Sequence, residues 1–379
     1  MALNNDNYKE GQVDYFLLGI LTLLIGWGIF MVFSVSFPFS LERYGNGWHY
    51  GLHQLLCGFI PGLFAAFILY KLDLNFLKKI SFFLLVLNFI CLFLVGFSAI
   101  SPEIQGAQRW LYLGPISFQP SELLKITFLF YMATWLSGKL ETKKSSKKNN
   151  LQIFGAFLIM IGLLAGILLS QPDFSTFVII FSTAFVIYFA SRTPWWHSVF
   201  LIIAGTGLAA ILIKVSPYRL NRILPLFDPQ IDPLGIGYQL KQSFITIGSG
   251  KLWGIGEWLG LGLSRQKFGF LPHSMTDSIF AIIGEETGFL GCAFLILLFV
   301  LFAWRGIKIA LNSETEFVKL LGIGITFWLC FQAFANIAGI IGILPLAGIP
   351  LPFFSYGASH LIAEMMGIGI LLNISKSVK

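Results

Sequence analysis

Apolar residues in this chain fall into runs rather than a period-two or helical stripe. Ten such runs lie near 14–36, 51–71, 76–98, 121–138, 151–170, 173–190, 196–215, 278–304, 317–344 and 351–374. A helix needs roughly 20 mostly apolar residues to cross a bilayer, so the pattern predicts ten transmembrane helices. The expected fold class is an all-α polytopic membrane protein, one transmembrane domain over residues 1–379. Its largest polar interval, residues 216–277, forms a loop between helices 7 and 8. The first run is too long for a signal peptide and has no small-residue cleavage site behind it, so it is expected to stay as an anchor.

Composition agrees. Of 379 residues, 56% are hydrophobic and 11% charged, with mean hydropathy +0.80. A soluble domain carries about 25% charged residues to keep its surface in water, so lipid is the expected solvent. The basic residues then set orientation. Lys71, Lys78, Lys79, Lys139, Lys143, Lys144, Lys147, Lys148, Arg192, Arg305, Lys308, Lys319, Lys376 and Lys379 sort onto the side of the two termini. By the positive-inside rule that side is the cytoplasm, and both termini lie there. The lysine run at 139–148 reads as a topology determinant and solvated loop, and no nucleic-acid partner is expected.

Two loops face the other way, 99–120 and 216–277. The second holds Arg219, Arg222, Lys241, Lys251, Arg265 and Lys267 against Asp228, Asp232, Glu257 and Asp277. Such an excess of cations fits either ordinary loop solvation or an anionic ligand on the outer face. Gly, Pro and aromatic residues run through "LPLFDPQIDPLGIGYQLKQSFITIGSGKLWGIGEWLGLG". They predict a layer lying on or dipping into the membrane surface, with Trp253 and Trp258 suited to the interface.

Four polar clusters on the outer side could carry chemistry. In "LPHSMTDSIFAIIGEETG", Thr276 or Asp277 is placed to cap the helix that follows. Asp277 also stands where a lipid-linked headgroup would meet protein, held ionised by the helix N-terminus as a general base requires. Glu285 and Glu286, about 12 Å deeper along the axis, are expected to face the bundle interior, paired or protonated, with structural or gating roles. In "GAQRWLYLGPISFQPSELLKI", Arg109 precedes a turn, and Glu122 and Lys125 open a helix. They could neutralise each other or form part of a pyrophosphate and sugar site. "QPDFST" puts Asp173 in a cap position. "PLAGIPLPFFSYGASH" breaks the chain before the last helix, and such backbone at membrane depth predicts a cavity opening outward. Glu364 is an unexplained acid within the last span, with Lys125 a conceivable partner. Cys57, Cys91, Cys292 and Cys330 read as small buried hydrophobes, and the five histidines show no ligand spacing.

Taken in order, "GAQRW", "QPSELLK", "QPDFST", "YRLNRI", "DPLGIGYQ", "LSRQK", "TDSIFAIIGEETG" and "PLPFFSYGAS" resemble the SEDS family (shape, elongation, division and sporulation), which includes FtsW and RodA. The match is closer to the FtsW division-type branch. Where relatives read LPExHTDF and SYGGSS, this chain reads LPHSMTDS and SYGASH, so His273, Met275, Ser278 and His360 are its own.

The resemblance implies a peptidoglycan glycosyltransferase that polymerises lipid II, the undecaprenyl-pyrophosphate-linked disaccharide pentapeptide. Its implied partners are a class B penicillin-binding transpeptidase and other division or elongation proteins, in the bacterial plasma membrane. It implies Asp277 as the essential aspartate, taking a proton from the acceptor sugar's 4-hydroxyl as it attacks the donor's anomeric carbon with inversion. Arg109, Glu122, Lys125, Asp173, Arg219, Arg222, Lys267 and Ser355 fall on family motif positions and are the implied substrate-binding set. A divalent cation, Mg2+ or Mn2+, could screen the pyrophosphate, though the sequence builds no site for it. The rival readings are a lipid II flippase with Lys125, Glu285, Glu286 and Glu364 as a polar track, and an inactive scaffold for the transpeptidase.

Overall fold

A computed structural model describes residues 11–95, 101, 108–113, 116–141, 147–215, 217–228, 232, 235–255 and 264–376. At 113, 116, 140, 141, 147–149, 212, 215 and 217–219 the backbone alone is described. The lysines at 143 and 144, Trp258 and the side chain of Arg219 therefore lie outside the described residues.

The chain is mostly helical. The helices are α1 (Tyr15–Tyr44), α2 (His49–Lys71) and α3 (Leu74–Val95). A short hairpin of β1 (Leu111–Leu113) and β2 (Ile116–Phe118) follows. Then come α4 (Pro120–Glu141), α5 (Lys147–Ser170), α6 (Phe174–Ala190) and α7 (Trp195–Val215). After α8 (Pro217–Phe227) and α9 (Ile236–Ser249), the chain ends in α10 (Ile279–Leu311), α11 (Glu316–Ile340) and α12 (Ala358–Lys376).

Each predicted apolar run lies largely on one of the long helices. Seven of these, α1, α2, α3, α5 from Asn150, α10, α11 and α12, are long and apolar enough to cross a membrane. The expectation of an all-helical chain is corrected by the hairpin, whose strands pair antiparallel from Leu111 opposite Phe118 to Leu113 opposite Ile116.

The bundle has a centre and a rim. In α12 and α11, 72% and 67% of the apolar window is buried, against 28% in α2, α3 and α5, whose outer faces are left for lipid. Small residues let α2 and α12 approach closely, the usual device where lipid supplies no hydrophobic drive between helices. A Cβ on Gly369 would fall inside the backbone of Ala66, and Gly58 and Gly62 lie against Ala358 and Met365. Within α2, residues Gln54–Phe59 form a π turn just before Pro61, which relieves the lost N–H and ring clash of an internal proline.

One end gathers the termini. Asp14 caps α1 through Leu17 N–H at 2.8 Å, accepts from Arg305 Nε at 2.6 Å, and its own N–H donates to Ser375. Lys376 Nζ donates to Tyr70 O at 2.7 Å, and Arg192 meets Glu316 at 3.9 Å. Several of the basic residues that set orientation thus share an end. Arg305, one of them, is buried in an ion pair with Asp14. The cysteines are all free, but of the four only Cys292 is buried, and Cys57 is exposed.

The interval 216–277 is not a structureless loop. Two helices occupy it, and it dips inward: Gly288 (φ 67, ψ −166) breaks α10, and residues 250–255 fill the break. Phe289 and Leu290 N–H donate to Lys251 and Leu252 O at 2.9 and 3.2 Å, and Ile255 N–H to Glu285 O at 3.0 Å. Donors released by a helix break in lipid must find such partners. A Cβ at Gly250 or Gly254 would collide with the α10 backbone.

Candidate active site

The segment 345–357, rich in Pro and Gly, crosses the end of the bundle opposite the termini and ties the predicted clusters together. Ser175, at the start of α6, and Arg222 of α8 both donate to Ala347 O, Arg222 at 3.1 Å. Asn336 Nδ2 of α11 donates to Ile349 O and to Asp277 O, both at 2.7 Å. Ser355 Oγ accepts from Leu351 N–H at 2.7 Å and donates to Thr276 O. Tyr356 N–H reaches Met275 O at 2.7 Å, and its hydroxyl lies 2.9 Å from His53 Nδ1. Gln54 bonds Gly357 N–H and Ser355 O, and Ser359 Oγ accepts from Gln119 N–H. Four junctions far apart in sequence therefore meet.

Strain is held at this crossing. Phe353 has φ 68 and His273 φ 54, left-handed values costly for bulky residues. Phe353 is secured by a 2.9 Å bond from its N–H to Glu364. From the other side α1 presses on it so closely that a Cβ at Gly28 would overlap the Phe353 carbonyl.

Asp277 sits beside this crossing, partly exposed, and a Cβ added at Gly348 would lie 3.9 Å from its Oδ2. It does not cap α10. Ser278 holds the cap position, without a side-chain cap bond. The carboxylate instead accepts from Gln239 Nε2 at 3.4 Å and Thr276 Oγ1 at 3.2 Å. Burial among protein atoms raises its pKa above the ordinary carboxylate value, while His273 and the bonds from Gln239 and Thr276 act the other way. The helix end that was expected to favour the ionised form is therefore opposed by desolvation, the larger effect on this carboxyl.

The remaining predicted residues divide. Arg109 donates to Gln171 and Pro172 O, bracing the tight turn before α6. Asp173 caps α6 through Thr176 N–H at 3.3 Å, and its Oδ2 is buried without a hydrogen-bond partner. Glu122 and Lys125 form a buried pair at 2.8 Å. Lys125 also donates to Gln332 Oε1 at 3.1 Å, and Gln332 Nε2 donates to Pro350 O and Glu364 Oε1. Gln332 thus stands between Lys125 and Glu364, for which Lys125 was a conceivable partner. Lys267 pairs with Glu286 at 3.2 Å, side chains 4% and 0% exposed, and both bond Ser34 of α1. Glu285 accepts from Ser264 Oγ and Arg265 N–H.

Sequence reasoning missed Gln239, Gln332 and Asn336. The last two were findable as polar residues four apart inside the apolar run of α11, facing one side. Among the described residues no three His, Cys, Asp or Glu side chains converge to hold a metal.

The FtsW/RodA/SpoVE family, described as a cell cycle protein, matches residues 15–379. The chain belongs to that family. It is 35% identical to stage V sporulation protein E of Bacillus subtilis over 97% of its own length and 98% of that protein's. To the probable peptidoglycan glycosyltransferase FtsW of Coxiella burnetii it is 35% identical, over 93% of each chain. Among solved structures, a chain of a peptidoglycan synthase complex that coordinates polymerization and crosslinking aligns with TM-score 0.76 at 26% identity, covering 96% of this chain and 97% of that one. RodA of Thermus thermophilus aligns with TM-score 0.69 at 25% identity, over 96% of each chain. This member of the SEDS family is a multi-pass protein of the bacterial inner membrane.

Proposed function

We propose that this protein is a peptidoglycan glycosyltransferase that polymerises lipid II by inverting transfer, with Asp277 as general base, in cell division or cell-shape maintenance. Asp277 carries the proposal: a carboxylate with raised pKa, open to the outer side and held by neutral donors. The buried Glu122 and Glu286, by contrast, face cations. A base works best with its pKa moved toward the operating pH. The departing diphosphate needs no proton, so one carboxylate suffices: Asp277 takes the proton of the acceptor hydroxyl as its oxygen attacks the anomeric carbon.

Arg109, Arg219 and Arg222 are the cations assigned to the pyrophosphate, and Asp173 is assigned to the substrate with them. Lys267 neutralises Glu286, the Glu122–Lys125 pair is tied through Gln332 to Pro350 O, and Ser355 fixes the backbone at Leu351 and Thr276. No step is routed through a divalent cation. Helices α4, α6 and α7 complete ten crossings with both termini cytoplasmic, and the interval 216–277 lies outside. The names of the relatives and the full-length alignment to a synthase complex support this reading, and a class B penicillin-binding transpeptidase is the assigned partner.

The test is lipid II supplied to the purified protein with its transpeptidase, glycan strands being resolved on a gel. Asp277→Asn should abolish strands while the protein still folds and binds its partner. Strands made at the wild-type rate by Asp277→Asn would overturn the assignment. Lipid crossing vesicles without polymer from the wild type would indicate a flippase.

A further inference from the structure

Gln239 lies in the first turn of α9 and has no role in the chemistry above. Asp232 fixes that helix start, its two carboxylate oxygens accepting from Gly235 and Ile236 N–H at 3.1 and 2.7 Å. Gln239 N–H then donates to Gly235 O at 3.1 Å. From there the buried amide sends Nε2 to Ser278 Oγ at 2.9 Å and to Asp277 Oδ2 at 3.4 Å. One amide nitrogen has two hydrogens, so it can be anchored on Ser278 while aimed at the carboxylate. Thr276 Oγ1 engages the opposite oxygen.

We infer that Gln239 is a positioning residue for the proposed reaction, holding Asp277 Oδ2 so that the carboxylate's free lone pairs face the acceptor hydroxyl. The inference rests on Asp277 acting as the base. A neutral amide suits this place better than a cation would. Lysine or arginine within 4 Å of the carboxylate lowers its pKa by one to three units, weakening it as a base, whereas an amide orients the anion and lowers its proton affinity less. The long 3.4 Å separation fits a catalytic hydrogen bond that tightens when substrate arrives. The titratable group facing Asp277 from its own turn is His273. From the neighbouring elements, Arg222 is directed at Ala347 O, one residue before Gly348, where an added Cβ would lie 3.9 Å from Oδ2.

The test compares pH–rate profiles of strand formation for wild type, Gln239→Leu, Gln239→Glu and Asp277→Asn, with the transpeptidase present, alongside thermal unfolding of each in detergent. Gln239→Leu should unfold within a few degrees of wild type, lose roughly tenfold in kcat at neutral pH, and move the acid limb of the profile up by about one unit as the anion loses its donor. Gln239→Glu, nearly isosteric, should move the limb further, because a second carboxylate raises the pKa of the first. It carries the test if the leucine variant fails to fold. Unchanged rates, or lowered rates with the acid limb unmoved in the folded variants, would overturn the inference and leave the Asp277 assignment standing. Wild-type polymer from Asp277→Asn would overturn both.

Discussion

The two ends of α10 treat carboxylates in opposite ways. Toward the termini, Asp14 is buried against Arg305 at 2.6 Å and ties α1 to α10. Two turns into the helix, Glu286 is equally closed against Lys267. Before its first residue Asp277 accepts from a hydroxyl and an amide side chain, and keeps part of its surface open. A carboxylate closed by a cation has its charge spent on architecture. One held by neutral donors in a partly dry place retains its affinity for a proton. The difference lies in what the tertiary structure sets beside each acid, since the residue types are nearly the same.

The sharpest way to break the comparison is to exchange the chemistry at each kind of site. Asp277→Asn should cut the polymerisation rate by about 10²–10⁴-fold, the usual contribution of a general base, measured by strand formation from lipid II. Lys267→Met should leave Glu286 buried and uncompensated, costing about 3–5 kcal/mol by thermal unfolding in detergent. Combining it with Glu286→Leu should recover much of that loss. A single variant without effect on unfolding would mean that Glu286 has another way to be neutralised.

Gly28→Ala should cost about 1–3 kcal/mol by overpacking α1 against Phe353. It should also lower activity, because the displaced backbone leads through Ser355 to Thr276. Unfolding and strand assays on the same preparation read both effects.

The smallest effect is one of sign. Asp277 binds its proton more tightly in the folded protein than in the unfolded chain, because burial raises its pKa. Its contribution to stability is therefore present at low pH and is lost as pH rises from the ordinary carboxylate range through the raised value. Above that window Asp277→Asn should unfold at a slightly higher temperature than wild type, and below it the two should converge. Activity runs the other way, falling as Asp277 is protonated.

Much of this was readable before any coordinates. The apolar runs lie on helices because only helices satisfy their own backbone in lipid. The outer clusters were recognisable because polar residues at membrane depth are too costly to be incidental. Glu285 and Glu286 were expected to face the bundle interior, paired or protonated, and both have partners. The particular partners were not legible: Ser34 and Lys267 are 233 residues apart, and the contacts of Gln119 with Ser359 and of Gln54 with Ser355 that close the site span 240 and 301. Neither the break at Gly288 nor the chain that fills it could be inferred from a continuous apolar run.

The sequence alone thus determined the solvent, the helices, the family and the position of the acid proposed as the base, because these follow from local composition and motif order. Only the tertiary structure decided which carboxylates meet a cation and which is held by a hydroxyl and an amide. Ionisation inside a protein depends on the groups within a few ångströms, and in this bundle those groups arrive from helices distant in the chain.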